Sequence, residues 1–354
     1  AKSSLCCNNS LSTMSRKRTA HEMEELHNDE EKEIEELYEQ IQIEESICLD
    51  TRKFDLLIQL LRDLNKTIKR LSLDGEDLEL DHTNTVVRLI EALELRSLEL
   101  EELDLWHFKT NNEAVRAISN FVKTSSLCTL HLESCEIDAA GAFLIGESLQ
   151  TNTSIKNLRL DDNKIGDDGA IALADALHHL EELDLRYNNI GFEGAAALAN
   201  FLQVNSTLSS LSLSYNNIQD KGAVAIAEAL SMNYSSKMHR LALMSNGIGN
   251  LGAIALARAL KKKNMPLKEL WLGYNRVGNA GACALANSLK VNKMLNKIYL
   301  DGNKIGNPGV RSLLGALEMN SSIDSLDLDE NHCDDQLIDS VESIIKKKER
   351  KRMR

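Results

Sequence analysis

Gly247, Gly249 and Gly252 stand in GxGxxG spacing, a pattern that lets backbone amides close on a pyrophosphate at a helix N-terminus. That chemistry also needs a long crossover unit around the glycines. None is present: neighbouring segments carry Asn-x-Ile-Gly-x-x-Gly at the same place, and Gly247 only adds one glycine to a recurring phrase. His178 and His179 adjoin Glu181 and Glu182, which are metal-ligand residue types, but adjacent histidines at a helix end rarely share one ion. Cys6 and Cys7 form a vicinal pair open to oxidation or acylation, and read as incidental. No nucleophile–base arrangement and no P-loop occurs. The expectation is a chain with no catalytic residue, no metal site and no cofactor.

The recurring phrase dictates the elements. One copy runs from Ile155 through Leu158, Leu160, Asn163, Ile165 and Gly169 to Leu177, and the period is about 28 residues. Leu158 and Leu160, Leu183 and Leu185, Leu211 and Leu213 alternate with polar residues, the period of a half-buried strand. A corner position follows, held by Cys135, Asn163, Asn188, Asn216, Asn246, Asn275, Asn303 and Asn331. An amide there can pair with backbone groups leaving the strand, and stacked copies form a ladder. Cys135 is a compact residue that tolerates burial. Six residues past the corner stand Gly141, Gly169, Gly194, Gly222, Gly252, Gly281 and Gly309. Each opens an alanine-rich stretch that favours helix. Units that cannot bury their apolar faces alone must stack. Strands lie closer together than helices, so the stack curves with strands inside.

These residues resemble the ribonuclease-inhibitor class of leucine-rich repeats, whose signature is LxxLxLxx(N/C)xIxxxGxxxLxxxL. The match covers about residues 127–334 as eight copies, the last truncated. Residues 68–126 hold two degenerate copies, Leu71/Leu73 and Leu103/Leu105, with Phe108 where Asn is expected. The resemblance implies an α/β horseshoe with a parallel inner sheet, used to bind protein; it does not imply inhibition of ribonuclease. The repeats are also similar to those of Ran GTPase-activating proteins, which implies a regulator of a Ran-type small GTPase. That family follows its repeats with an acidic tail, whereas here the acidic block comes first and the tail is basic. None of its functional residues is carried over. A looser likeness is to the repeats of tropomodulin-like and innate-immune receptor proteins.

The register fixes which residues face the hollow side. Between the two leucines stand Asp104, His131, Arg159, Asp184, Ser212, Ala242, Trp271, Tyr299 and Asp327. Past the second leucine come Trp106, Glu133, Asp161, Arg186, Ser214, Met244, Gly273, Asp301 and Asp329, and one step further Tyr187, Tyr215 and Tyr274. Met244, Trp271, Tyr274 and Tyr299 come from consecutive repeats and should form one patch, since aromatic and methionine side chains anchor protein interfaces. The expected binding face comprises Arg186, Tyr215, Met244, Trp271, Tyr274, Tyr299, Asp301 and Asp327. Its acidic rim, including Asp161, Asp162, Asp184, Asp329 and Glu330, favours a protein partner with a basic surface.

The 354 residues carry a formal charge of −13, which disfavours nucleic acid as a partner. The charge is uneven: residues 22–45 hold twelve acidic side chains against one lysine, and residues 346–354 hold seven basic ones against Glu349. Seven cysteines without a CxxC pair suit a reducing compartment. No stretch is long enough to span a membrane. Six N-x-S/T sequons begin at Asn8, Asn65, Asn152, Asn205, Asn233 and Asn320, four of them at the helix-to-strand return where the repeat itself supplies Asn and Ser. The expected organisation is disorder over 1–19, an acidic helix over 20–47, an N-terminal cap helix over 48–67, repeats over 68–334 and a C-terminal cap helix with a basic tail over 335–354. Phe54, Leu57, Leu61 and Leu64 would cover the first strand, and Leu337, Val341 and Ile345 the last. Together these features point to a cytoplasmic, non-catalytic protein-binding scaffold, with nuclear entry through the basic tail as a variant of that location and GTPase regulation as the second reading.

Overall fold

The computed structural model describes residues 32–40, 47–63, 67–78, 82–95, 99–262 and 265–352. After a helix at 32–40 (α1), strands and helices alternate: β1 (Ile47–Cys48), α2 (Thr51–Asp63), β2 (Arg70–Asp74), α3 (His82–Glu94), β3 (Glu102–Trp106), α4 (Asn112–Thr124), β4 (Thr129–Glu133) and α5 (Ala139–Leu149). They continue as β5 (Asn157–Arg159), α6 (Gly166–Ala174), β6 (Glu182–Asp184), α7 (Phe192–Val204), β7 (Ser210–Ser212) and α8 (Gln219–Met232). The series closes with β8 (Arg240–Ala242), α9 (Asn250–Leu260), β9 (Glu269–Trp271), α10 (Asn279–Leu289), β10 (Lys297–Tyr299), α11 (Asn307–Met319), β11 (Ser325–Asp327) and α12 (Asp335–Arg352).

Among the described residues the strands form one parallel sheet of 11 in chain order. Each helix from α2 onward packs on the next, so sheet and helices make two layers of one α/β solenoid. The register is in step throughout: Leu130, Leu158, Leu183, Leu211, Leu241, Leu270, Ile298 and Leu326 are successive partners. All are buried, as are the corner-flanking Ile137, Ile165, Ile190, Ile218, Ile248, Val277 and Ile305. One unit is short, with 25 rather than 28 residues between Asn163 and Asn188. The deficit falls on α6, which has 9 residues against 11 in α5 and 13 in α7. The outer layer absorbs the deletion while strand pairing from β5 to β6 is kept.

The corner amides make the ladder that ties turn to turn. Asn163 Nδ2 donates to the carbonyls of Leu132, Leu160 and Asp161, while its Oδ1 accepts from the amides of Cys135 and Ile137. Asn275 and Asn303 repeat this four and five units on. At Cys135 a buried thiol sits 3.3 Å from the carbonyls of Leu105 and Glu133. Burial pushes that thiol up to about 12, so it stays protonated and inert.

The N-terminal end differs from expectation. Ile47 and Cys48 form a strand parallel to β2, where the sequence reading joins an acidic helix to a cap helix. Ile47 and Leu49 are buried with Cys48 exposed between them, so the period there is that of a strand, and the solenoid begins one unit earlier. Phe54, Leu57 and Leu61 of α2 are fully buried; Leu64 lies outside the described residues, as do 41–46 and the whole of 1–31. The helix at 32–40 rests on this unit through Leu37, with Glu33 paired to Arg52 at 3.1 Å. At the far end Val341 is buried and Leu337 and Ile345 pack on the core.

Candidate functional site

The inner face is built by the residues between the strand leucines. Asp104, His131, Arg159, Asp184, Ser212, Ala242, Trp271, Tyr299 and Asp327 form one continuous row of strand partners. Facing inward is not the same as being open to solvent, however. Asp104, Asp161, Ser214 and Ala242 are all buried, because neighbouring side chains on closely spaced strands cover the short ones. The acidic rim is therefore smaller than the sequence suggests.

The middle of the face holds a hollow of about 550 Å³ whose lining includes Arg159, Arg186, Tyr215, Arg240, Met244 and Trp271. Arg186 is a fixed cation on its wall. Its Nε lies 2.8 Å from Asp184 Oδ2, and one Nη lies 3.2 Å from Asp161 Oδ2. Burial opposes the charge of Arg186, but Asp184, Asp161 and Glu133 outweigh it and hold the guanidinium above its ordinary range. Burial first, then the like charges of Asp184 and Glu133, raise the Asp161 carboxyl to about 6 against the pull of Arg186.

The forecast patch of Met244, Trp271, Tyr274 and Tyr299 divides. Trp271 meets Tyr299 edge to face, with ring centres 5.1 Å apart, and both rings are half-buried on the inner face beside Met244. The indole Nε1 of Trp271 is buried without a hydrogen-bond partner among the described residues. Tyr274 belongs elsewhere: its backbone has φ of 54°, and its ring lies so close over Gly302 that a Cβ there would sit 2.5 Å from the ring. The same corner in two earlier repeats stacks Tyr187 on Tyr215 at 4.1 Å. These tyrosines form a row along one edge of the face, packed on their neighbours. Asp301 and Asp327 continue the inner face past Tyr299; burial and then Asp327 raise the Asp301 carboxyl above the usual range.

The glycine motif is already occupied. Asp220 Oδ1 accepts from the amides of both Gly249 and Gly252 at 2.7 Å, which are the groups a phosphate would need. Asp167, Asn250 and Asn279 do the same for the glycines of other repeats. The sequons have a structural use too. Asn152, Asn233 and Asn320 each donate at 2.7 Å to a carbonyl of the preceding unit (Val122, Leu202, Leu289), forming a second ladder. Asn8 and Asn65 lie outside the described residues. So do Cys6 and Cys7, while His178 and His179 are exposed and His178 packs on Phe201.

Among the described residues, two groups of metal-ligand residue types that sequence reading passed over come together at the N-terminal end: Asp74, Glu76 and His107, and Glu102, Asp104 and His131. Their members come from adjacent strands, and only the register brings them together. Asp104 and His131 are named above as inner-face residues, so the signal was the row itself, read across strands. No described helix is long and apolar enough to cross a membrane.

Six segments, residues 151–174, 176–199, 204–227, 234–257, 263–286 and 291–314, match the family described as Leucine Rich repeat. No curated protein sequence matches the chain. Among solved structures, the actin-binding site 2 of leiomodin-1 is similar over 46% of this chain and 91% of that one, at 18% identity and a TM-score of 0.39. An internalin of Listeria monocytogenes is similar over 77% of this chain and 78% of that one, at 19% identity and a TM-score of 0.46. With its matched segments laid one after another on a single parallel sheet, this chain carries a leucine-rich-repeat array over residues 151–314.

Proposed function

We propose that the chain is a non-catalytic scaffold or regulator that holds a protein partner on the inner face of the sheet. The observation that carries this reading is the half-buried Trp271–Tyr299 pair beside the hollow of Arg186, Tyr215 and Met244. Large rings next to a fixed charge, on an open face, are the composition of interface anchors. Asp301 and Asp327 beyond the pair give a partner with a basic surface the better fit. The repeats belong to the ribonuclease-inhibitor class on this reading, supported by a full helix in most units and the Asn corner ladder. A cytoplasmic location fits the free thiols among the described residues.

Replacing Trp271 and Tyr299 together by alanine should abolish retention of the partner that the wild-type chain captures, with little change in thermal unfolding. Equal retention by both chains would overturn the reading, and so would a large loss of stability, which would make the rings core. Regulation of a Ran-type GTPase is the alternative from the repeat resemblance. Faster GTP hydrolysis in the presence of the chain would establish it, and a complex without a rate change would leave the scaffold.

A further inference from the structure

We propose that one rim of the solenoid, where each helix returns to the next strand in the C-terminal half, docks on an anionic lipid bilayer. This surface is separate from the inner face and does not depend on what that face binds. The returns stack in step. The Lys268 amide bonds the His239 carbonyl and the Asn296 amide bonds that of Lys268. Asn233, Asn292 and Asn320 each tie their return to the unit before it. Side chains flanking these asparagines therefore lie along one edge.

Charge is the first observation. Three successive returns, residues 231–240, 260–269 and 289–297, carry nine lysines and arginines against one acid, Glu269. Glu269 pairs with Arg240 and Lys297 at 3.0 Å. Among the described residues no carboxylate pairs with Lys237, Lys261, Lys262, Lys268, Lys290 or Lys293, and all six are exposed. The next return, 318–325, holds Glu318 and Asp324, but α12 brings cations back to this edge. Lys348 stands close to Lys293, and burial and then that like charge hold its ammonium below the ordinary range. Lys293 in turn lies 3.4 Å from the Met319 carbonyl. Cations gathered without counter-charge repel one another, and an anionic surface relieves that repulsion.

The second observation decides which anion. Met232, Tyr234, Val291, Met294 and Met319 stand on the same returns and are exposed, Tyr234 by 80%. The phosphates of a nucleic acid give Met232, Val291 and Met319 no apolar surface to enter. At a bilayer such side chains reach the boundary between headgroups and acyl chains while lysines meet the phosphates, and tyrosine favours that depth. The acidic corners, with Asp301, Asp329 and Glu330, lie at the other end of the strands. A strand of three residues and its turns separate them from the rim, more than the screening length of about 8 Å in physiological salt. They do not cancel it.

The test is flotation of the full chain, over a range of lipid concentrations, with vesicles of phosphatidylcholine alone or with about a third phosphatidylserine. The expected result is recovery with the mixed vesicles only, lost in roughly 0.5 M salt. Each lysine near such a surface adds roughly fivefold in affinity, so Lys261→Gln, Lys262→Gln and Lys293→Gln together should weaken binding about a hundredfold. The same charge change on the opposite rim, Lys109→Gln, Lys164→Gln and Lys304→Gln, should leave binding as in wild type. Tyr234→Ser with Met294→Ser should weaken it roughly tenfold. All the replaced side chains are exposed, and circular dichroism follows each variant. Should the first triple variant fail to fold, its single substitutions take its place, each weakening binding roughly fivefold. Equal recovery with both vesicle types, recovery with neither, or equal losses in the two triple variants would overturn the proposal. So would a serine variant that floats as wild type does, and retention of a single-stranded RNA oligonucleotide without flotation would assign the rim to nucleic acid instead.

Discussion

Removing one rung of the corner ladder should open the solenoid locally, and Asn275→Ala is the sharpest case. Asn275 Nδ2 donates to the carbonyls of Leu243, Leu272 and Gly273 at 2.8, 3.1 and 3.1 Å. Its Oδ1 accepts from the amides of Asn246 and Ile248 at 3.0 and 2.9 Å. Alanine leaves those two amides without an acceptor in a buried corner. Each orphaned group costs about 1–3 kcal/mol, which sets the expected loss for the two at about 2–6 kcal/mol. A long repeat array need not unfold in one step, so the local measure is hydrogen exchange at the Ile248 and Asn246 amides. Protection there should fall by roughly one and a half to four orders of magnitude, at 1.4 kcal/mol per factor of ten. Asn217→Ala is the control: that side chain is exposed and its Oδ1 accepts from Gln219 Nε2 at 3.3 Å, so its effect should stay within about 0.5 kcal/mol. Unchanged protection in Asn275→Ala would refute the ladder as a source of stability.

Two further perturbations test the electrostatics and the close packing. Asp161 holds its proton up to about 6 in the folded chain against an ordinary 3.8, so between those values the folded state binds more protons than the unfolded one. Its contribution therefore falls as pH rises from about 4 to 6 and is level above, by at most about 3 kcal/mol. Asp161→Asn should remove that slope; the difference in urea midpoint between variant and wild type, followed across the window, checks it, and a slope of opposite sign would contradict it. Gly252→Ala should cost about 1–3 kcal/mol, because the new Cβ would lie 2.7 Å from Ile248 Cγ2 and 2.9 Å from Asp220 Oδ1; a melting temperature equal to wild type would show that the corner yields.

Local periodicity determined a great deal by itself. Leucines two apart set the strand face, the Asn marks where the chain turns, and the Gly six residues later marks the helix that must lie close to the preceding unit. These signals lie within one repeat, so they are readable along the chain, and they place Trp271 and Tyr299 on the same inner row that the structure has. The strand at Ile47–Cys48 was missed because two residues carry too short a period to separate a strand from a helix edge. The occupied amides of Gly249 and Gly252, the buried Asp161 and the meeting of Glu102, Asp104 and His131 belong to a different class. Each depends on a residue one unit away, about 28 positions along the chain. Which side chains touch across that gap is decided by strand register, by the spacing of the layers and by the rotamers that neighbours leave open. A repeat pattern says which way a side chain faces; only the stacked turns determine whether it meets solvent, a counter-charge or a potential ligand.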